Sequence, residues 1–209
     1  MHSLDRTFQR APASAPALEY LTELTQVLQR VPAEPLARAI DALLEAREHG
    51  RRVYVFGNGG SAATASHFVC DLVKGAQVPG FRPFRAFSLT DNTPMMTAYS
   101  NDVAYSQTFA RMLEALVEPD DIALGISASG NSPNLVEGLQ TAVRLGARTI
   151  ALLGFDGGAA LSIAEIAVHV PCSDYGLVED THAALGHAIT LSVRRALEAE
   201  RAHDLIRLA

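Results

Sequence analysis

The chain has 209 residues, 48% of them hydrophobic and 19% charged, a composition typical of a globular domain rather than a disordered or collagen-like chain. Seventeen Lys and Arg residues against 23 Asp and Glu residues give a net charge of −6, so the chain as a whole offers no basic surface for nucleic acid. No apolar run reaches the roughly 20 residues of a membrane span, and the two cysteines match no metal-ligand spacing. We therefore expect a soluble, cytoplasmic protein with neither nucleic-acid nor membrane partners.

Residues 1–16 are rich in Ala, Ser and Pro without apolar periodicity, so we expect a flexible leader ahead of a single domain of residues 17–209. The next segment, residues 17–50, predicts a pair of helices. The first has helical spacing of Leu18, Leu21, Leu24 and Leu28, and the second carries Leu36, Ala39, Ile40, Leu43 and Leu44. The strands predicted further along the chain form a sheet whose own crossover helices should cover both of its faces. We therefore expect the apolar stripes of this helix pair to form subunit interfaces.

After Gly50, short apolar runs alternate with helical stretches. The predicted strands are Val53–Phe56, Phe84–Leu89, Ile122–Ile126, Thr149–Leu153 and Ala167–Val170. The predicted helices are Ser61–Lys74, Tyr105–Leu116, Pro133–Leu145 and a long last helix from about Val178 to Arg207. This alternation predicts an α/β fold with a doubly wound, five-stranded parallel sheet and an N-terminal helical extension. Ligands of such folds bind at the carboxyl ends of the strands.

The first strand leads through Gly57–Asn58–Gly59–Gly60 into a helix that starts near Ser61. Glycines allow a sharp turn and a close backbone approach, and a helix start attracts anions, so this loop predicts a phosphate site. The alternative is a tight strand–helix turn capped by Ser61. A nucleotide P-loop is poorly supported, because no lysine follows the glycines.

The same glycines fit the dinucleotide pattern formally, as Gly57, Gly59 and Ala62. That pattern requires an acidic residue about 20 positions on, whereas Asp91 lies some 30 residues past the loop. We therefore expect no nucleotide cofactor, and keep Asp91 as a candidate substrate-binding residue.

A second loop, Ser127–Ala128–Ser129–Gly130–Asn131–Ser132, follows the third strand, with Pro133 opening the next helix. Ser132 suits the N-cap position. The hydroxyls exceed what capping requires, and such neutral donors suit a phosphoester. The candidate phosphate-binding residues are therefore Asn58, Gly59, Ser61, Ser127, Ser129 and Ser132.

Together the two loops resemble the sugar-isomerase (SIS) domain family, and within it the phosphoheptose isomerase group. Further similarity lies in His67–Phe68, Asn101–Asp102 and the segment from Val178 to His187. The resemblance implies a flavodoxin-like SIS fold and an aldose–ketose isomerase. Its reaction interconverts sedoheptulose 7-phosphate and D-glycero-D-manno-heptose 7-phosphate through an enediolate.

This reaction requires a carbon base and a group that moves protons between two oxygens, roles that a carboxylate and a histidine can fill. The resemblance assigns them to Asp71, where the family generally has Glu, and His187. Some family members bind zinc through positions that match His67, Asp71, Glu179 and His187, which implies one zinc ion per subunit. Glu179 stands where the family usually has Gln.

The resemblance also implies a homotetramer with active sites at subunit boundaries, where His187 would meet Asp71 of a neighbouring chain. Two other functions stay open. One is a non-catalytic, phosphosugar-binding regulator or scaffold, like the branch of this group that associates with the replication initiator. The other is isomerisation of a different sugar phosphate. Asp71, Glu179 and Ala128, which depart from the family pattern, are the reason to keep them.

Overall fold

The computed structural model describes residues 14–208, with side chains as far as residue 203. Most of the predicted leader lies outside these residues, and the first helix already begins at Ala15. The helices are α1 (Ala15–Leu28), α2 (Ala33–Glu48), α3 (Gly60–Cys70), α4 (Thr93–Asp102), α5 (Thr108–Leu116), α6 (Pro133–Arg144), α7 (Ala160–Ile163) and α8 (Tyr175–Leu208). The strands are β1 (Arg52–Gly57), β2 (Arg85–Ser88), β3 (Ile122–Ser127), β4 (Arg148–Leu153) and β5 (Ile166–His169).

All five strands pair in parallel, in the order β2-β1-β3-β4-β5, which confirms the predicted fold class. Alternate residues of the strands enter two different cores. Val53 and Val55 of β1 pack among α2, α3 and α8, whereas Tyr54 and Phe56 pack among α5 and α6. Burial on both faces explains why the strands read as continuous apolar runs.

The N-terminal helices differ in how much of their apolar surface the domain covers. In α2, Ala39 and Leu43 are fully buried against the domain, and the other residues of its stripe are partly buried. The expectation that the α2 stripe is left over for a subunit interface is therefore wrong, because α2 itself covers part of the sheet. In α1 only Leu24 of the predicted stripe packs inward, while Leu18 is 62% and Leu21 56% exposed.

Two local features differ from the sequence pattern. The helix predicted over Ser61–Lys74 is α-helical only to Cys70 and then continues as one π-helical turn over Asp71–Gly75, closed by a bond from Ala76 N–H to Asp71 O. The pattern does not predict α4, because this helix has no buried residue and hence no apolar stripe. Its start is marked instead by Asn92, whose side chain accepts the Met95 N–H.

Within residues 14–208, no helix has the length and apolarity that crossing a membrane requires.

Candidate active site

The first glycine-rich loop turns sharply between β1 and α3. Gly59 is the N-cap of α3 with a φ of +54°, a left-handed conformation that favours glycine. Gly57 lies so close to β3 that a Cβ atom there would be 2.8 Å from the Ile126 carbonyl oxygen. Ser61 is buried in the first turn of α3 and is not its cap, so the alternative of a Ser61-capped turn is wrong.

The serine loop lies at the same edge of the sheet, between β3 and α6. The Ser127 Oγ accepts the Gly130 N–H at 3.0 Å, and the Ser129 Oγ accepts the Asn131 N–H at 3.3 Å. Each bond uses a lone pair of the hydroxyl and leaves its O–H free to donate. Ser132 is the N-cap, as predicted, but its side chain makes no capping bond. Three hydroxyl donors therefore remain available at this helix start.

Asn58 connects the two loops. Its side-chain amide pairs reciprocally with that of Asn134, with both N···O distances 2.8 Å, and its Oδ1 also accepts the Tyr105 hydroxyl at 2.7 Å. Sequence reasoning did not single out Asn134 or Tyr105. Asn134 follows the N1 proline of α6, where a polar residue is common, and Tyr105 is 47 positions from Asn58 with no local pattern that links the two.

Asp91 lies beside the second turn of α3. Its carboxylate accepts a short hydrogen bond from Ser66 Oγ on α3, beside the hydroxyls of Ser88 and Thr90. It lines a groove of about 790 Å³ that runs between β2 and α5 and includes none of the histidines below. Asp91 as a substrate-binding residue stays a prediction.

A carboxylate–imidazole cluster forms farther along α3. The Asp71 Oδ2 lies 2.9 Å from His187 Nδ1 and 3.4 Å from His67 Nε2, and the two imidazole rings meet edge to face at 4.8 Å. The imidazoles are about 60% exposed, whereas the Asp71 side chain is 25% exposed. A cleft of about 170 Å³ opens beside them, lined by Ala63, Thr64, His67, Phe68, Asp71, Ala183 and Gly186.

Asp71 and His187 belong to one chain in this contact. The expectation that His187 meets Asp71 of a neighbouring subunit is therefore wrong. The physical reason is that α8 packs along α3 within the domain, and the π-helical turn at Asp71 lies directly against α8, where a Cβ on Gly75 would be 3.3 Å from Thr190.

Glu179 lies at the other end of α3. Its carboxylate is so close to Gly60 that a Cβ atom there would overlap it. Three possible metal ligands among the described residues, His67, Asp71 and His187, have donor atoms within 4.8 Å of one another. Glu179 is not part of this group. The expectation that Glu179 is a fourth ligand beside these three residues of its own chain is therefore wrong, because α8 places it two turns away from His187.

His182, between these positions on α8, is fully buried, and neither ring nitrogen has a hydrogen-bond partner among the described residues. Burial lowers the pKa of its imidazole to about 4, and the nearby Leu153 backbone opposes this only in part. The ring is therefore neutral near pH 7, as expected of a packing residue.

The fold and these groups define a class: a doubly wound α/β protein with a glycine-rich and a serine-rich loop at one edge of its sheet and a carboxylate–imidazole cluster between α3 and α8. The model of the SIS domain family matches residues 19–154, and the chain belongs to this family. Its relatives include a probable phosphoheptose isomerase of Thermoplasma acidophilum, 38% identical over 173 residues, which are 83% of this chain and 94% of that one. The phosphoheptose isomerase of Aquifex aeolicus is 40% identical over 157 residues, 75% of this chain and 82% of the other.

Solved structures agree with this assignment. A phosphoheptose isomerase from Francisella tularensis superposes with a TM-score of 0.81 at 28% identity, covering 86% of this chain and 97% of that one. The phosphoheptose isomerase of Neisseria gonorrhoeae gives 0.78 at 28% identity, covering 86% and 95%.

Proposed function

We propose that the protein is a phosphoheptose isomerase that interconverts sedoheptulose 7-phosphate and D-glycero-D-manno-heptose 7-phosphate. The observation that carries the proposal is the 2.9 Å contact of the Asp71 carboxylate with His187 of α8, at the end of the helix that begins at the glycine-rich loop. A scaffold has no need of such an acid–base pair. The names of the relatives support the same reaction.

The two loops hold the phosphate. Backbone N–H groups at the start of α3 and the free hydroxyls of Ser127, Ser129 and Ser132 lie at the same carboxyl edge of the sheet, where they can donate to one phosphate. From Ser61 to Asp71, α3 rises about 15 Å at 1.5 Å per residue. This separation favours a long sugar phosphate whose reacting carbons lie far from the phosphate.

The proton transfers belong to Asp71 and His187. In the neutral tautomer with a proton on Nδ1, His187 donates to Asp71 Oδ2 and leaves Nε2 as an acceptor. The Asp71 carboxylate takes the carbon-bound proton and returns it to the neighbouring carbon. His187 Nε2 carries the second proton between the two sugar oxygens, which completes the isomerisation without loss of atoms.

The proposal includes a zinc ion at His67, Asp71 and His187, which would replace the proton between His187 Nδ1 and Asp71 Oδ2 and leave His187 Nε2 facing the substrate. Two imidazole nitrogens and a carboxylate oxygen within 4.8 Å of one another suit its preference for nitrogen and oxygen ligands. Bound zinc would stabilise the negative charge of the enediolate. Metal analysis should find about one zinc per chain, and added zinc should raise the melting temperature of the stripped protein but not of a His67→Ala variant.

The proposal also includes a homotetramer in the cytoplasm. The exposed Leu18 and Leu21 of α1 leave an apolar face that a second copy can cover. A sugar phosphate is a charged metabolite that does not cross membranes freely, which supports a cytoplasmic location.

The decisive experiment incubates the purified protein with five-, six- and seven-carbon ketose phosphates and follows the formation of each aldose. Turnover of the seven-carbon substrate alone supports the proposal. Turnover of a shorter sugar instead would indicate a different isomerase. Binding of all these sugars without turnover, with zinc supplied, would favour the regulator or scaffold.

A further inference from the structure

Asn134 is the most completely enclosed polar side chain near the two loops, at 1% exposure. Its Oδ1 accepts two hydrogen bonds, one from the Leu135 backbone N–H at 3.0 Å and one from Asn58 Nδ2 at 2.8 Å. The backbone bond fixes which end of the amide is the oxygen. The Asn134 Nδ2 must therefore point at Asn58, where it donates to Oδ1 at 2.8 Å.

The same contacts restrict what Asn58 can do. Its Oδ1 already accepts from Asn134 and from the Tyr105 hydroxyl, and a carbonyl oxygen has only two lone pairs. The side-chain oxygen of Asn58 is therefore unavailable to a substrate. What the residue can still offer is its backbone N–H and one hydrogen of its amide.

The tip of this loop is loosely packed, although Gly60 contacts the Glu179 carboxylate and the Gly59 carbonyl accepts from Ala62 and Ala63 of α3. Gly59 and Gly60 are exposed, and a Cβ atom added at Gly59 would meet nothing within 4 Å. A loop with few packing contacts loses conformational entropy when it orders around a ligand, and contacts that order it beforehand remove that cost from binding. The amide pair is such a contact, because it ties the loop to the buried start of α6.

We infer that Asn134 is a positioning residue that pre-organises the glycine-rich loop for phosphate through Asn58, with Tyr105 as the third member of the network. The inference rests on the proposed phosphate role of the two loops. Asn134 touches no phosphate itself. Its effect on binding should therefore require the Asn58 side chain.

The test is a double-mutant cycle with inorganic phosphate as the probe, measured by calorimetry on the full chain. Asn134→Ala and Asn58→Ala should each weaken phosphate binding about tenfold. The double variant should be no weaker than either single variant, since both remove the same contact. A loss of about a hundredfold in the double variant, the product of two independent effects, would overturn the inference.

A second cycle uses a milder change in case Asn134→Ala does not fold. Tyr105 is half exposed, so Tyr105→Phe removes one hydroxyl without opening a cavity. It should weaken phosphate binding two- to fivefold in the wild-type background and not at all in the Asn58→Ala background. An equal loss in both backgrounds would contradict the inference.

Other readouts separate positioning from mere stability. If Asn134 only stabilises the fold, Asn134→Ala and Tyr105→Phe will lower the melting temperature while the folded protein binds phosphate with unchanged affinity, which would overturn the inference. So would a wild-type protein that does not bind phosphate. Failure of sugar turnover with intact phosphate binding would instead contradict the isomerase proposal alone.

Discussion

Asp71, where the resemblance implies a longer glutamate, has two imidazole nitrogens within 3.4 Å of one carboxylate oxygen. The π-helical turn that begins at this residue places it against α8. π-Helical turns of this kind are frequent at functional sites. The local backbone thus offers a physical reason why the shorter side chain still reaches His187.

Replacement of Asp71 by Asn should remove the base while keeping the shape of the side chain. We expect kcat to fall by orders of magnitude, with a melting temperature near that of the metal-free wild type. Asp41→Asn, at an exposed position of α2, is the control and should keep full activity. Retained kcat in Asp71→Asn would show that the base lies elsewhere.

Glu179 places a negative charge at the amino end of α3, where the phosphate is proposed to bind. Glu179→Gln removes this charge and should tighten phosphate binding about two- to fivefold at low ionic strength, the range for one charge near a helix terminus. The gain should shrink in high salt. Calorimetry measures the affinity for phosphate, and the control variant is Glu48→Gln, at an exposed glutamate at the end of α2. No gain at low salt would show that the carboxylate does not face the bound anion.

His182 should make stability depend on pH. Its folded-state pKa of about 4 lies below the ordinary value of 6.5, so its contribution is complete above pH 6.5 and is lost as the pH falls towards 4. Within this window the free energy of unfolding should fall by up to about 1.4 kcal/mol per pH unit from this group. Urea unfolding at several pH values should show a flatter profile for His182→Leu. Identical profiles would contradict the prediction.

At the scale of elements, the loops after β3 and β4 pack against one another through glycines. Gly130 has a φ of +64°, and a Cβ atom there would overlap the Gly157 carbonyl oxygen. The Ala159 N–H also donates to Asn131 Oδ1 at 2.9 Å, so the serine loop is held by its neighbour after β4. The shape of the proposed phosphate site therefore depends on a contact between two loops.

Gly130→Ala should destabilise the protein more than Gly80→Ala. Both positions have positive φ, which costs an alanine about 1 kcal/mol, but Gly80 has open space around its Cβ position. The clash at Gly130 should add about 1–3 kcal/mol. Denaturant unfolding of the two variants measures the difference, and equal losses would contradict the loop contact.

At the scale of the whole molecule, α1 is fastened to α8 by a 2.6 Å hydrogen bond from the Tyr20 hydroxyl to Asp180 Oδ2. This bond raises the pKa of Tyr20 to about 12, because the tyrosinate would repel the carboxylate. The bond fixes α1 with the side chains of Leu18 and Leu21 facing outward. An apolar face held in this way is suited to an interface between copies.

Light scattering should give about four times 22.3 kDa, and Leu18→Glu with Leu21→Glu should reduce this mass, because charge at an apolar interface opposes association.

Mixing Asp71→Asn with His187→Ala chains should restore no activity, since both residues act in one chain. Mixing Asp71→Asn with Ser129→Ala chains should restore some if sites lie at subunit boundaries. Activity in the first mixture would show that the cluster is shared between chains.

The amino-acid sequence by itself determined the strands, the two loops and their meeting at one edge. Strands buried on both faces must be continuously apolar, and the carboxyl ends of parallel strands share an edge. It also determined that His67 and Asp71 meet, because residues four apart lie on one helix face.

Only the tertiary structure decided the contacts between distant segments. Asn58 meets Asn134, 76 positions away, and Tyr105, 47 positions away. His187 meets Asp71 of its own chain, and α2 rather than α1 is buried. Each of these outcomes depends on how helices pack against the sheet and against one another, which the local spacing of residues does not specify.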